Sequence, residues 1–304
     1  MSTPRPPASP DLRAYVILTV GAFLLSTNPV IVRAVIDVVP PIGLAFWRWL
    51  LAAVMLLPFI ATRLSTTAPV MWRSRGPLCL LGALMIGSTT IILFALQSTT
   101  AINVSVVNAT QPTLTVLFAW IAFRDRLTPL QIAGIVSAFV GVLIIVSRAE
   151  WSRLFSLDMN IGDVLAVIAM GGFAIYALNI RKIPAALNAA DALFAIIVYG
   201  CALLLPFYVA ETVMLKAVPI TGASVAAILS LALFVSCLAM LTWNTGNRLI
   251  GPAKASIFMN LIPVFGAALA IVFLGEQLFP FHVAGGALIC LGIVLVVGQF
   301  GARD

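Results

Sequence analysis

The stretch QSTTAINVSVVNATQPTLTVLFAWIAFRDRLTPLQIAGIVSAFVGVLIIV, Gln97 to Val146, decides the fold, because it recurs without a gap 151 positions later as RLIGPAKASIFMNLIPVFGAALAIVFLGEQLFPFHVAGGALICLGIVLVV, Arg248 to Val297. Pro112 falls on Pro263, Leu127 on Leu278, Pro129 on Pro280, Gly134 on Gly285 and Gly141 on Gly292, and Asp125 is replaced by the like-charged Glu276. Each copy reads as a hydrophobic helix interrupted by proline, a short loop holding one acid, and a second hydrophobic helix with glycines a heptad apart. The chain is therefore read as two copies of one unit.

The rest of the chain says where these copies sit. Of 304 residues, 62% are hydrophobic and 9% charged, and the mean hydropathy of +1.15 is far above that of an ordinary soluble domain. The sequence is that of an all-α integral membrane protein. Its apolar runs are long and continuous, not the short alternating strands of a membrane β-barrel. Ten segments near the length needed to span a hydrocarbon core are expected at about 14–36, 42–61, 76–96, 102–122, 128–147, 161–180, 190–212, 222–243, 252–274 and 280–299. Residues 1–13 read as a polar, proline-rich tail, 14–150 as a first five-helix repeat and 151–304 as a second. The link between them contains Trp151, Leu154, Phe155 and Leu157, an amphipathic run suited to the membrane surface, with Trp151 an interfacial anchor.

Cations set the orientation. Twelve of the 17 Lys and Arg residues fall on one side, among them Arg63, Arg73, Arg75, Arg124, Arg126, Arg181, Lys182, Arg248 and Lys254, and five on or near the other. Both termini are thus expected in the cytoplasm of a bacterial-type inner membrane. Five helices per copy is an odd number, so the second copy must enter the membrane inverted. The charges agree: Arg124 and Arg126 correspond to Gly275 and Gln277, whereas Gln97 and Asn103 correspond to Arg248 and Lys254. Inverted repeats are typical of secondary transporters, whose substrate site lies near the midplane between the halves.

The doubled unit, the Pro112 and Pro263 helices, the loops Asp125-Arg126-Leu127-Thr128 and Glu276-Gln277-Leu278, and Gly162-Asp163 opening the sixth segment resemble the drug/metabolite transporter superfamily, EamA type. The likeness covers nearly the whole membrane region and is most like the YddG aromatic amino acid exporters. It implies a ten-helix exporter working by alternating access. Many relatives carry a Trp-Gly pair in the first helix, where this chain reads Leu25-Ser26-Thr27-Asn28-Pro29.

Polar residues within apolar spans mark candidate transport sites, because a lipid-facing amide would lack partners. The fourth segment is the most polar, with Asn108, Gln111 and Thr115 on one face and Pro112 beside them removing a helical hydrogen bond. Interhelical bonding is the competing use of such amides. Asn260 and Pro263 are the corresponding residues of the ninth segment. Asn28 and Pro29, Ser88 and Thr89, Tyr176 and Asn179, and Trp243 and Asn244 complete a candidate lining of amides, hydroxyls and rings for a zwitterion with an aromatic side chain. Trp47 and Arg48 are the sharpest candidates: Arg48 lies one to two turns inside the second segment, where a guanidinium requires a partner. That partner is a substrate carboxylate, an outer gate with Asp37 or Asp163, a permanent structural ion pair, or lipid headgroups reached by snorkelling.

Other classes of function find no support. No nucleophile and base pair, HExxH or GxSxG motif suggests an enzyme. Cys79, Cys201, Cys237 and Cys290 form no CxxC cluster, and His282, the lone histidine, has no partner at ligand spacing, so neither metal nor cofactor is expected. Scattered cations argue against nucleic acid as a partner. No acid falls at mid-membrane, which disfavours a carboxylate-centred proton antiport. The sequence thus predicts an exporter of small metabolites, aromatic amino acids foremost, with membrane lipid as its other partner. A multidrug or nucleotide-sugar carrier of the same fold is the alternative.

Overall fold

Prolines and short polar side chains determine where the helices start and break. The computed structural model describes residues 12–124, 128–149, 160–250 and 258–297, and contains no strand among them. Helices α1 (Leu12–Val35), α2 (Pro41–Ile60), α3 (Leu64–Arg73) and α4 (Arg75–Ser98) lead into two short pieces, α5 (Ala101–Asn108) and α6 (Gln111–Phe123). They are followed by α7 (Pro129–Ser147), α8 (Ile161–Asn179), α9 (Ala189–Met214), α10 (Gly222–Ser230), a π-helical segment (Leu231–Ala239), α11 (Met240–Ile250), α12 (Leu261–Leu274) and α13 (Pro280–Val297). Side chains cap the first turns: Thr100 accepts from Asn103 N–H, Asn188 from Ala190 and Asp191, Asn160 from Gly162 and Thr221 from Ser224. At α7, Thr128 and Gln131 form a reciprocal capping box.

Among the described residues, seven helical runs are long and apolar enough to cross a membrane: 12–35, 41–73, 75–98, 129–147, 161–182, 189–214 and 222–243. The pair α5 and α6 adds an eighth when counted as one span bent by 45°. Two shorter apolar helices, Leu261–Leu274 and Pro280–Leu295, follow. This measure therefore gives seven to eight spans where sequence predicts ten. The difference has three sources: the fourth segment is broken, the segment expected at 252–274 is described only from residue 258, and the tenth contributes only the shorter apolar run Pro280–Leu295. Helix α3, with Trp72 exposed, occupies what reads in sequence as a loop. The run from Trp151 to Leu157 and the triplet Asp125 to Leu127 lie outside the described residues.

Pro112 explains the break. It offers no N–H to the Asn108 carbonyl, and it disfavours helical backbone at Gln111. The chain closes α5 with tighter bonds, Ala109 N–H to Val106 O (3.1 Å) and Thr110 N–H to Val107 O (2.9 Å), then restarts with Leu114 N–H to Thr110 O (3.0 Å).

Small residues allow the helices to pack. Antiparallel α7 and α13 form the most extensive helix pair, and their glycines alternate across the seam. A Cβ on Gly141 would lie 2.6 Å from the Gly285 carbonyl oxygen, and one on Gly292 would lie 2.5 Å from that of Gly134. Because Gly285 and Gly292 are the sequence counterparts of Gly134 and Gly141, the contact is reciprocal. Between them Ser137 Oγ donates to Leu288 O (2.8 Å) across a separation of 151 residues, so a residue meets its own counterpart. Elsewhere α4 packs on α8 and α9, α2 on α9 and the π segment, and α1 on α12, α11 and the π segment.

Candidate functional site

Arg48 is the polar centre of the bundle. It lies about 10 Å along α2 from Pro41 at 1.5 Å per residue and is only 3% exposed. Its Nη1 donates to Asn28 Oδ1 (2.8 Å) and its Nε to Ser236 Oγ (3.3 Å), while the guanidinium carbon stands 4.8 Å from the centroid of the Trp49 ring. Three elements supply this ring of partners. In α1, Ser26 and Thr27 turn their hydroxyls back onto the carbonyls of Phe23 (2.6 Å) and Leu24 (2.7 Å), leaving Asn28, just before Pro29, as the acceptor that reaches α2. Ser236 comes from the π segment, whose wider i to i+5 turn is a recurrent feature of functional sites and gives no signature in the sequence.

The charge has no counter-ion among the described residues. Among the described residues the two ion pairs are Arg33 with Asp37 and Arg63 with Asp191, each at 3.6 Å. Arg48 thus pairs with neither Asp37 nor Asp163, the two acids expected from sequence. Its Nη2 makes no hydrogen bond among the described residues, and neither does the buried Nε1 of Trp49.

The other candidate residues are dispersed. Trp47, 36% exposed, is not among the groups bonded to Arg48 and donates through Nε1 to Tyr208 Oη (3.0 Å). Beside the α5–α6 break, Ser105 Oγ, Asn108 Oδ1 and Thr113 Oγ1 are buried without a partner among the described residues, and Gln111 is half-buried. Ser88 lines a groove of about 540 Å³ between α4, α6 and α8 with Leu114, Phe118, Gly171 and Gly172. The hydroxyl of Thr89 is instead bonded to the Met85 carbonyl (2.8 Å). Tyr176 packs against the second hydrophobic core, around Trp49, Ile86 and Ile197. Asn179 is exposed and bonds the Ile175 carbonyl (2.7 Å). Trp243 is half-buried on α11, and Pro263 lies within α12. The side chains of Asn244 and Asn260 lie outside the described residues.

Asp163 belongs to a separate network at one end of the bundle. It is fully buried and accepts from Thr99 Oγ1 and from Asn103 Nδ2 (2.9 Å). Asn103 Oδ1 lies 2.8 Å from His282 Nε2, and His282 Nδ1 accepts the Phe279 N–H (2.9 Å). Since Nδ1 is an acceptor, the ring proton sits on Nε2 and is donated to Asn103. At the same end Glu211 receives the N–H groups of Ile42 (3.1 Å) and Gly43 (2.7 Å). Glu276 receives those of Ala101 (2.8 Å) and Ile102 (2.9 Å). Each carboxylate thus closes the positive end of a neighbouring helix. Arg33 Nη1 to Leu96 O (3.0 Å), Asn160 Nδ2 to Ser98 O (2.6 Å) and Lys216 Nζ to Val38 O (2.9 Å) tie the same end. In the sequence His282 stands out only as a lone histidine opening an apolar helix, since it has no partner at metal-ligand spacing.

A transporter of unassigned substrate from Bacillus subtilis (strain 168), YyaM, is 26% identical over 291 residues, covering 94% of each chain. A probable amino-acid metabolite efflux pump of Salmonella typhimurium is 26% identical over 289 residues, 91% of this chain and 92% of that one. A solved crystal structure shares 20% identity with a TM-score of 0.61 over 96% of this chain and 98% of its own, which shows a common fold. The model of the EamA-like transporter family matches residues 12–147 and 160–298, and with apolar helices able to cross a membrane several times the chain is a multi-pass membrane protein belonging to that family of transporters.

Proposed function

We propose that this chain exports small metabolites, aromatic amino acids foremost, across the inner membrane by alternating access between two inverted five-helix repeats, with both termini cytoplasmic. The observation that carries this reading is Arg48: a guanidinium buried within the bundle, held by two neutral side chains and with no acid paired to it among the described residues. A buried charge is expensive unless it is matched, and a cargo carboxylate is the match that a transporter would supply for part of its cycle. The reciprocal glycine seam supports the inverted repeat, because a two-fold relation maps Gly134 against Gly292 onto Gly285 against Gly141. The unpartnered groups at the α5–α6 break support a polar cavity, since broken helices with freed backbone line transporter sites. Asn28, Arg48, Asn108 and Gln111 are its proposed lining, and the groove beside Ser88 and Phe118 offers apolar room for a ring.

In the orientation set by the cations, the network end around Thr99, Asn103 and His282 is the outer one. Its ties close that side, so cargo enters from the cytoplasm. Transport by the purified full chain in liposomes tests the reading, comparing labelled phenylalanine and tryptophan with alanine and a hydrophobic cation, each with and without an imposed pH gradient. Preferential flux of the aromatic amino acids that equilibrates without concentrating is expected. Flux of the cation instead would move the protein to the multidrug class.

A further inference from the structure

The acids decide which part of an amino acid the site can recognise. Five carboxylates occur among the described residues, and all stand at or near helix ends with partners of their own. Asp37 faces Arg33 and Asp191 faces Arg63. Glu211 caps α2, Glu276 caps α5, and Asp163 is bonded to Thr99 and Asn103. Asp163 leaves Oδ2 and Asp191 leaves Oδ1 without a hydrogen bond, but neither acid reaches Arg48: Asp163 opens α8, whose neighbours are α4, α5 and α6, and Asp191 sits in the first turn of α9 beside Arg63.

The surroundings of Arg48 are the reverse. Two groups on adjacent residues, Arg48 Nη2 and Trp49 Nε1, are donors with no acceptor among the described residues, and the acceptors present, Asn28 Oδ1 and Ser236 Oγ, already face the guanidinium. A carboxylate would take a charge-assisted bond there. An ammonium would meet a like charge. The neutral atoms left open, Ser105 Oγ, Asn108 Oδ1 and Thr113 Oγ1, are not among the groups that touch Arg48, so no free acceptor among the described residues stands beside the guanidinium to hold an ammonium.

We infer that the site selects a carboxylate and is indifferent to the amino group, so that hydrophobic carboxylic acids without a free ammonium are ligands on a par with the amino acids. The inference rests on the exporter reading and narrows its substrate class to organic anions bearing an apolar or aromatic body. It also assigns Asn28 a specificity role: as a neutral acceptor it holds the guanidinium without satisfying its charge.

Calorimetric binding to the purified full-length chain separates the groups. Phenylalanine carries both, N-acetylphenylalanine only the carboxylate, and phenylalaninamide only the ammonium. N-acetylphenylalanine is expected within about threefold of phenylalanine, and phenylalaninamide weaker by roughly tenfold to a hundredfold, the range of a lost charge-assisted bond. Asn28→Asp would place an acid 2.8 Å from Nη1 and pair the charge permanently. That variant should lose carboxylate binding by a similar factor while its thermal unfolding temperature does not fall, an outcome that a purely structural Arg48 would not give. Phenylalaninamide binding as tightly as phenylalanine, or Asn28→Asp binding N-acetylphenylalanine unchanged, would overturn the inference. If phenylalanine is carried in liposomes but N-acetylphenylalanine fails to bind, the inference falls and the exporter stands; if no metabolite is carried, the exporter reading falls.

Discussion

At the residue scale, a single charge separates transport from framework. Arg48→Gln keeps a polar partner for Asn28 and Ser236 but removes the cation. Transport of aromatic amino acids is expected to fall roughly tenfold to a hundredfold, while the protein elutes as a folded species on size exclusion; unchanged initial rates would argue that Arg48 is only a brace. Arg48→Lys should not restore full activity, because an ammonium lacks the planar fork that reaches Asn28, Ser236 and a third group at once. His282 makes the opposite case. His282→Leu strands Asn103 Oδ1 without its donor and the Phe279 N–H without its acceptor, so a loss of about 1–3 kcal/mol of stability should appear as a lower unfolding temperature in detergent. Arg48 could be singled out in the sequence because a cation inside an apolar run is conspicuous. Ser236 and Trp49 could not, since each is unremarkable among its neighbours until a π turn and a helix crossing bring it to the guanidinium.

At the element scale, proline and glycine act in opposite directions, one opening a helix and the other letting two helices meet. Pro112→Ala would restore an N–H for the Asn108 carbonyl and favour a continuous helix. The expected outcome is slower transport with stability unchanged or raised, read from initial rates and unfolding temperature on the same preparation. Gly141→Leu would force a side chain into the Gly285 backbone, where even a Cβ lies 2.6 Å from the carbonyl oxygen; overpacking of this kind costs about 1–3 kcal/mol. The membrane class and most helix positions were legible in the sequence because hydropathy and proline both act locally. The glycine seam was legible as a pattern, although close packing within the chain is a tertiary fact. Helix α3 was not, because its few apolar residues lie between Arg63, Arg73 and Arg75 and read as a charged loop. Nor was the two-piece character of the fourth segment, since Pro112 signals a weak point and not the 45° bend that results.

At the scale of the whole molecule, the proposed inverted arrangement makes a claim about sidedness that labelling can test. With native cysteines replaced, single cysteines at exposed Trp72 or Arg181 should react with a membrane-impermeant reagent only when the inner face is open, and one at Lys216 should react in intact cells. The bond from Ser137 to Leu288 carries a further consequence. Suppose the transport cycle proceeds by each half taking up the shape that the other has just left. The inward and outward forms are then related by a half-turn, and every feature of the protein is exchanged with a different place except what lies on the axis of that turn. A residue touching its own counterpart is such a fixed point. The crossing of α7 and α13 at residues 137 and 288 is then a pivot that both forms share, and a disulfide engineered between those two positions should leave turnover intact, whereas a covalent tie between positions 103 and 282, which joins α5 to the first turn of α13 at one end of the bundle, should stop it.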